Sequence, residues 1–356
     1  MRLDILTIIA ILITFCSCSQ TNYSEKEITF KNPNDDSKLS GTLSIPSSEI
    51  PVPAVILVHG SGPNNRDLNI LGGRKVFKDI ANYLSNNGIA VLRYDKRGVG
   101  KSEGNYVPND MENFALDGIA GIEFLKTIKE IDTNKIGAIG ISQGGILTPI
   151  MANLSIDIDF IVMMAGAGVK PYDLFYSSQL ALSSAAGYDS ADLEKVKILY
   201  DKFWNIITKK SLNSHERSIG LTYQKQLWEY IDIESRRDFG FLEENLEFMF
   251  DNMYHHPNSV DFLHYSPSET LSQVECPVLA INGDKDVQVV ADINLPAIKE
   301  SLENGKCKNY KVVKLKNHNH IFQQCKTGKI SEYKEIDGTV SNETLELIVA
   351  WMNQIE

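Results

Sequence analysis

The stretch that decides the fold is Gly140-Ile141-Ser142-Gln143-Gly144, a G-x-S-x-G sequence. It ends an apolar run over residues 136–141 and begins a segment with helical periodicity. A serine between a buried strand and a helix sits on a strained turn, where flanking glycines avoid Cβ clashes with neighbouring backbone. Such a turn presents the hydroxyl at the end of the strand. Ser142 is therefore the candidate nucleophile.

Outward from this turn, the chain alternates between apolar runs and helical patterns. Apolar runs without polar interruption are typical of strands that are buried on both faces, as in a parallel sheet covered by helices. The alternation predicts an α/β fold with a doubly wound, mostly parallel sheet, preceded by a hairpin. The apolar runs cover residues 54–58, 89–94, 136–141, 160–164, 278–281 and 310–315.

The alternation is interrupted between residues 169 and 265. This stretch is helical in period and contains 17 of the 31 aromatic residues of the chain. A helical segment between two halves of an α/β unit predicts a cap over the carboxyl-terminal edge of the sheet, where such folds bind ligands. Most of the aromatic side chains are expected to form the interior of the cap. The predicted organisation is a core of residues 26–168 and 266–356 with a helical cap over residues 169–265.

A serine hydroxyl is a weak nucleophile, so it needs a base and an acid that orients the base. Asp284 and Asp286 follow the first apolar run beyond the cap, and His318 and His320 follow the next one. Both pairs therefore leave the carboxyl ends of consecutive predicted strands, at the edge where Ser142 is expected. The residues alone allow either member of each pair.

A glycine-rich turn, His59-Gly60-Ser61-Gly62-Pro63, follows the apolar run over residues 54–58. A turn of this kind can aim backbone N–H groups at the negative charge that develops on a reacting carbonyl oxygen. The expected donors of this oxyanion hole are the amides of Ser61 and of Gln143, the residue after the nucleophile. His59 is a rival general base, but its position beside the turn favours a structural hydrogen bond.

Taken together, these stretches resemble the α/β-hydrolase superfamily and, more narrowly, its bacterial carboxylesterase and serine aminopeptidase-like branch. The resemblance covers about residues 26–356 and is weakest in the cap. In the family pattern the acid follows a glycine by three residues and the base follows an asparagine, which selects Asp286 and His320. The motifs that carry the resemblance are residues 59–63 with Arg66-Asp67, residues 93–102, residues 140–144, residues 282–289 and residues 319–322.

The resemblance implies an α/β-hydrolase fold and a serine hydrolase that cleaves carboxylic esters of small or medium acyl groups through an acyl-enzyme. It requires neither a metal nor an organic cofactor. His318 is expected nearer the pocket rim, in contact with substrate or solvent. Arg66 and Asp67 are expected either to brace the oxyanion turn as an ion pair or to be solvated.

Two other functions use the same residues. An aminopeptidase or amidase would use the same triad and would need an acidic site in the cap for the substrate amino terminus, with Glu229, Glu243 and Glu244 as candidates. A non-catalytic, lipid-anchored binding protein would be indicated by the loss of a triad member, and all three members are present.

A nucleotide-binding loop is excluded, although Gly98-Val99-Gly100-Lys101-Ser102 follows an apolar run. The phosphate-binding pattern G-x-x-x-x-G-K-S needs a glycine at position 95, which is Asp95. This segment is expected to be a structural turn in which Asp95 and Arg97 form internal hydrogen bonds. Nucleic acid is not an expected partner either, because the chain has 35 Lys and Arg against 46 Asp and Glu, a net charge of −11 without a basic run.

The amino-terminal stretch predicts export. Met1-Arg2 precedes a mostly apolar run over residues 5–15, which is too short to span a bilayer but typical of a signal peptide. The run ends in Cys16-Ser17-Cys18-Ser19, which resembles the lipobox of bacterial lipoproteins with Cys18 as the lipidated residue; an ordinary cleaved signal is the alternative. We expect a signal peptide over residues 1–17, a linker over residues 18–25 and a periplasmic lipoprotein that contacts the membrane only through its lipid.

The remaining cysteines are Cys276, Cys307 and Cys325. They lack the ligand spacing of a structural zinc site, so no metal is expected. In an oxidising compartment one pair could form a disulfide, and three buried thiols are the favoured interpretation. The expected partner is a small-molecule ester, and the oligomeric state stays open.

Overall fold

The structure of the chain is a computed structural model that describes residues 22–107 and 109–355. The predicted signal peptide over residues 1–17 lies outside these residues, and so do Cys18 and the first part of the predicted linker. All further statements concern the described residues.

The apolar runs predicted from the sequence form the centre of one eight-stranded sheet, in the order β1-β2-β6-β3-β7-β8-β9-β10. β1 and β2 form an antiparallel hairpin, β2 pairs antiparallel with β6, and all other neighbours in this sheet are parallel. β4 and β5 form a separate small ribbon. The strands are β1 (Tyr23–Lys31), β2 (Lys38–Pro46), β3 (Val52–Val58), β4 (Asn69–Ile70), β5 (Arg74–Lys75), β6 (Ala90–Tyr94), β7 (Ile131–Ile141), β8 (Phe160–Met164), β9 (Val278–Gly283) and β10 (Tyr310–Leu315).

Helices cover both faces of this sheet, since every residue of β6, β8 and β9 is buried. Outside the cap, one group of helices consists of α1 and α12, and a second contains α2, α3, α10 and α11. The predicted doubly wound, mostly parallel sheet is confirmed. The helices outside the cap are α1 (Val76–Asn86), α2 (Met111–Lys126), α3 (Gln143–Leu154), α10 (Pro267–Gln273), α11 (Ala291–Glu303) and α12 (Asn342–Met352).

Six α-helices lie in the stretch for which the sequence predicts a cap. Their own interior contains aromatic side chains such as Tyr200, Phe203 and Phe250, packed with Val196 and Leu227. This cluster is separate from the core around the sheet. The cap helices are α4 (Pro171–Ala186), α5 (Ser190–Ile207), α6 (Ser214–Glu229), α7 (Ile233–Phe239), α8 (Leu246–His255) and α9 (Pro257–His264), with a short 3-10 helix at Glu243–Asn245.

A second cluster joins the cap to the loops at the end of the sheet. Leu182 and Trp228 of the cap pack with Val287, Ile321 and Tyr333. Tyr333 follows a short 3-10 helix at Ile330–Glu332. In the part of the chain that the structure describes, no helix is both long enough and apolar enough to cross a bilayer.

Candidate active site

Ser142 occupies a strained turn between β7 and α3. Its backbone has a φ of 57° and a ψ of −119°, a conformation that residues other than glycine rarely adopt. The close packing around the turn demands glycine, because a Cβ on Gly140 would lie 2.0 Å from the carbonyl oxygen of Gly144, and a Cβ on Gly144 would lie 2.0 Å from that of Val58. The half-buried Ser142 side chain borders a cavity under the cap.

Asp286 and His320 contact each other at the same edge of the sheet. The Nδ1 atom of His320 lies 2.8 Å from Oδ2 of Asp286, and the two residues are only 6% and 4% exposed. Asp286 follows β9 and His320 follows β10, two adjacent parallel strands. The parallel pairing therefore brings together two residues that are 34 positions apart in sequence.

The Asp286 carboxylate is held in place by backbone amides. Its other oxygen, Oδ1, accepts hydrogen bonds from the N–H groups of Gln288 at 2.8 Å and Val289 at 2.9 Å. These two amides fix the orientation of the carboxylate. Oδ2 therefore remains directed at the imidazole of His320.

The loop that carries His320 is held in place by the residues directly before and after the histidine. The buried Asn319 side chain accepts hydrogen bonds from the amides of Ile321 and Gln323. Ile321 and Phe322 are buried, and Phe322 adopts a positive φ of 64°. The imidazole therefore extends from a tight, packed turn rather than from a mobile loop.

The alternative candidates have other partners. Asp284 is exposed, and its carboxylate accepts the N–H of Asn317 at 2.6 Å. His318 is completely buried, with Nδ1 2.8 Å from the carbonyl oxygen of Lys316 and Nε2 2.7 Å from Oγ of Ser341. The expectation that His318 lies near the pocket rim is wrong, because this imidazole connects its loop to Ser341, the residue that caps the start of α12.

The predicted oxyanion turn lies beside Ser142. Ser61 and Gln143, whose amides are the predicted donors, line the same cavity as Ser142. A Cβ on Gly60 would lie 3.3 Å from the Cβ of Ser142, so the turn passes directly against the serine. Gln143 is the first residue of α3, where backbone N–H groups are not used within the helix.

His59 forms a structural hydrogen bond. Its Nε2–H donates to the carbonyl oxygen of Tyr94 at 2.6 Å, and its ring stacks on Phe77 with 4.7 Å between ring centroids. Burial lowers the pKa of His59 to about 3, and the nearby Lys96 acts in the same direction. An imidazole with so low a pKa, which is completely buried and donates from Nε2 to a carbonyl, is a poor general base for a substrate under the cap.

Arg66 and Asp67 do not pair with each other and are not solvated, so both alternatives given for them, a bracing ion pair and a solvated pair, are wrong. Arg66 donates to both carboxylate oxygens of Asp95, with Nη2 at 2.8 Å from Oδ2, and also pairs with Glu27. Asp67 pairs with Arg93. Asp95 thus has the internal role that the sequence predicts for it, and its partner is the arginine that follows the oxyanion turn.

Arg97 likewise has the internal role expected for it. Its guanidinium pairs with the buried carboxylate of Asp117, with 2.7 Å between Nε and Oδ2, and also bonds to Asn109 and Asp35. These contacts connect the turn after β6 to α2, which is the structural role predicted for this segment in place of nucleotide binding.

The cavity under the cap has a volume of about 710 Å³. This volume is typical of small-molecule sites, which are mostly apolar with a few polar groups. None of the described residues that line it is Asp, Glu, Lys or Arg; Ser178, Asn252 and Gln288 are among its polar members. Its apolar wall includes Phe175, Leu182, Phe239, Phe241, Phe248 and Phe262.

Residues 32–306 match the family model described as X-Pro dipeptidyl-peptidase (S15 family). The chain belongs to the S15 family. This S15 protein is also 36% identical over 178 residues to the Esterase EstD of Thermotoga maritima, a match that covers 50% of the chain and 40% of EstD. The chain therefore matches less than half the length of that relative. The two similarities are thus to proteins named as a peptidase and as an esterase, which are both hydrolytic enzymes.

The fold of this S15 protein is shared with solved structures of an esterase and of a peptidase. An esterase from Pyrococcus furiosus superposes with a TM-score of 0.56 at 17% identity, covering 95% of this chain and 93% of the esterase. The acylaminoacyl peptidase from Pyrococcus horikoshii also has a TM-score of 0.56 at 17% identity, covering 95% of this chain and 42% of the peptidase. The predicted α/β-hydrolase fold is confirmed.

One residue beside the pair is missing from the sequence prediction. The hydroxyl oxygen of Tyr333 accepts a hydrogen bond from the side chain of Gln288 at 3.1 Å, and its carbonyl oxygen accepts one from the side chain of Gln323 at 3.2 Å. Tyr333 is completely enclosed, and burial raises its pKa, so its hydroxyl stays neutral. It thus connects the loops of Asp286 and His320. No strand or helix pattern marks this position, since it lies in irregular chain after the last strand.

Cys276, Cys307 and Cys325 are free thiols in the structure; Cys307 is buried, and the other two are half-buried. Burial raises the pKa of Cys276 to about 12 and that of Cys325 to about 11, which disfavours the reactive thiolate. Within residues 22–107 and 109–355, no three His, Cys, Asp or Glu side chains form a group suited to hold a metal ion.

Proposed function

We propose that this protein hydrolyses carboxylic esters with Ser142 as the nucleophile, His320 as the general base and acid, and Asp286 as the residue that orients His320. The observation that carries the proposal is the 2.8 Å contact between His320 and Asp286 at the sheet edge that also bears the strained Ser142 turn. With its proton on Nδ1 and donated to Asp286, a neutral imidazole has its lone pair on Nε2, as a general base requires.

In the proposed reaction, Oγ of Ser142 attacks the ester carbonyl while Nε2 of His320 takes the hydroxyl proton. The amides of Ser61 and Gln143 donate to the oxyanion of the tetrahedral intermediate. His320 then returns the proton to the departing alcohol, which leaves an acyl-enzyme. A water molecule attacks this ester with His320 again as base, and the carboxylic acid is released.

The cavity supports an ester rather than a peptide amino terminus as substrate. A protonated amine needs a carboxylate partner when it leaves water, and the described lining offers none. Glu229, Glu243 and Glu244 are exposed, and Glu243 pairs with Lys225. The apolar wall instead suits an uncharged acyl group of small or medium size. The name of the matched Thermotoga maritima protein, an esterase, supports the same choice.

An aminopeptidase or amidase on the same residues is the second candidate. The observation in its favour is the family match, since that family is described as X-Pro dipeptidyl-peptidase. A non-catalytic, lipid-anchored binding protein is disfavoured, because the serine, histidine and aspartate are all present and the last two are in hydrogen-bonding contact.

We also propose that the protein is exported to the periplasm and anchored through a lipid on Cys18. The support is the sequence alone: a short apolar run that ends in small residues and a cysteine is typical of a lipoprotein signal. An extracytoplasmic ester hydrolase on a lipid anchor would meet substrates that enter the periplasm.

A fluorophosphonate probe followed by a substrate panel tests the enzymatic proposal. The probe is expected to label Ser142, as located by mass spectrometry of the digested protein. The panel compares p-nitrophenyl esters from acetyl to lauroyl with aminoacyl and X-Pro nitroanilides, and we expect turnover of the esters. Faster turnover of the nitroanilides would establish the second candidate, and the absence of both labelling and turnover would establish the binding protein.

A further inference from the structure

The backbone carbonyls of the oxyanion turn are held by two side chains. Nζ of Lys96 donates to the carbonyl oxygens of Gly60 at 2.7 Å and Gly62 at 3.1 Å. Nδ2 of Asn64 lies within hydrogen-bonding distance of the same two oxygens and donates to that of Ser61 at 2.8 Å. Every carbonyl from Gly60 to Gly62 therefore accepts a hydrogen bond from at least one side chain.

Lys96 is an unusual residue to bury. It is 2% exposed, and its Nζ lies 4.8 Å from the ring centroid of Phe114 and 5.5 Å from that of Tyr106. Removing an amino group from water is costly unless specific partners replace the water. Burial lowers the pKa of Lys96 to about 7, and the opposing influence comes from Asp117. Both protonation states retain at least two N–H donors, which is enough for the two carbonyls.

Because a peptide unit is planar, hydrogen bonds to the Gly60 carbonyl also fix the direction of the Ser61 N–H. The C=O of Gly60 and the N–H of Ser61 belong to one planar trans peptide, so they point in opposite directions. A donor that fixes the Gly60 oxygen on one side fixes the direction of the Ser61 hydrogen on the other. Ser61 lines the cavity beside Ser142, where a substrate carbonyl would be attacked.

We infer that Lys96 and Asn64 are positioning residues, which hold the oxyanion turn so that the Ser61 amide points at the oxyanion of the reacting ester. The inference rests on the proposed function, because an oxyanion forms only if Ser142 attacks a substrate. Neither side chain touches the substrate in this scheme, and both act through the direction of one backbone amide.

The test is the variant Lys96→Met, which keeps most of the apolar stem and removes the donor. Misplacing one oxyanion donor is expected to lower kcat for a p-nitrophenyl ester by roughly 10- to 100-fold, with KM changed by less than about twofold. Lys101→Met is the matched control, since Lys101 lies in the same loop but extends into solvent towards Glu27. This control should keep the wild-type kcat.

Two inhibitors separate positioning from general structural support. An alkyl boronic acid forms a tetrahedral adduct on the serine and needs the oxyanion donors, whereas the product alcohol occupies only the cavity. The inference predicts that Lys96→Met weakens the boronic acid in proportion to the loss of kcat and leaves the affinity for the alcohol unchanged. An equal loss of both affinities, or an unchanged kcat in a folded variant, would overturn it.

Asn64→Ala provides a second route if Lys96→Met does not fold, as judged by its thermal unfolding. This variant removes the Asn64 donor to the Gly60 carbonyl, 3.1 Å away, together with the donor to the Ser61 carbonyl. It should show the same selective loss of boronic acid binding, at roughly 3- to 10-fold. Equal losses for boronic acid and alcohol would again overturn the inference. Wild-type protein that neither turns over esters nor reacts with the probe would instead refute the proposed function itself.

Discussion

His320 faces Asp286 with 2.8 Å between Nδ1 and Oδ2, and both side chains are enclosed by the loops that follow β9 and β10. The orientation of the imidazole is therefore set before any substrate binds. Preorganisation of this kind reduces the rearrangement needed at the moment of proton transfer.

Ser142→Ala should abolish ester turnover and all labelling by a fluorophosphonate. Removal of a triad nucleophile typically costs several orders of magnitude in kcat, because the remaining residues act only as a unit. The fold should survive, since the substitution removes a single oxygen and keeps the Cβ. Rates with an activated ester, measured beside circular dichroism, check this. Retention of more than about a thousandth of the wild-type rate would argue for another nucleophile.

His320→Ala should lower kcat about as much as Ser142→Ala, and the double variant should lose little beyond either single one. His318→Ala is the matched control and should lower stability rather than kcat, because it removes the buried contact with Ser341. Lost buried hydrogen bonds of this kind typically cost about 1–3 kcal/mol. Steady-state rates and urea unfolding separate the two effects. An inactive, folded His318→Ala beside an active His320→Ala would reverse the assignment.

Phe248→Asp should reduce kcat/KM roughly tenfold for medium-chain esters and much less for acetyl esters. Phe248 lines the cavity although its side chain is 71% exposed, so a carboxylate there is tolerated by the fold but repels an apolar chain. Ile198→Asp is a suitable comparison, because Ile198 is also exposed and lies elsewhere on the cap. Equal effects of Phe248→Asp on all chain lengths would contradict an acyl site at this wall.

The buried His59 should make the protein sensitive to mild acid. Because its folded pKa of about 3 lies below the unfolded value near 6.5, its contribution to stability is complete above pH 6.5 and is lost as the pH falls towards 3. Between pH 7 and 5 this amounts to about 2 kcal/mol. His59→Gln keeps a donor for the Tyr94 carbonyl but does not titrate. Urea unfolding of both proteins should show a shallower pH dependence for the variant, and identical slopes would refute the prediction.

Cys18→Ala should move the protein from the membrane fraction to the soluble fraction, because the proposed anchor is a single lipid attachment site. Cell fractionation with mass spectrometry of the mature amino terminus checks this. Wild-type protein found wholly in the soluble fraction with an unmodified residue 18 would remove the anchor from the proposal.

The strands could be predicted from the sequence more completely than the candidate site. Runs such as residues 54–58 and 160–164 are apolar throughout, and such continuity directly reflects burial on both faces of a parallel sheet. The contact between Asp286 and His320 could be anticipated because consecutive parallel strands end at one edge. The place of His318 could not, since in an extended loop alternate side chains can point the same way.

The partners of charged residues that lie far apart in sequence could not be predicted either. Arg66 and Asp67 are adjacent in sequence, yet they do not pair with each other. Arg66 pairs with Asp95 and Asp67 pairs with Arg93, and both partners lie at the end of β6. Which of several carboxylates an arginine reaches depends on the three-dimensional register of strands, which local sequence does not encode. The same holds for Lys96, whose carbonyl partners lie more than thirty residues earlier.

The cap has consequences for protein engineering because it has an interior of its own. Residues such as Tyr200 and Phe250 stabilise it without facing the cavity, so a mutant library at wall positions such as Phe175 and Phe248 should retain thermostability while it explores new acyl groups. The cluster around Tyr333 is different, since it connects the cap to the neighbours of the proposed acid and base. A library that leaves this cluster unchanged should yield altered selectivity at undiminished turnover.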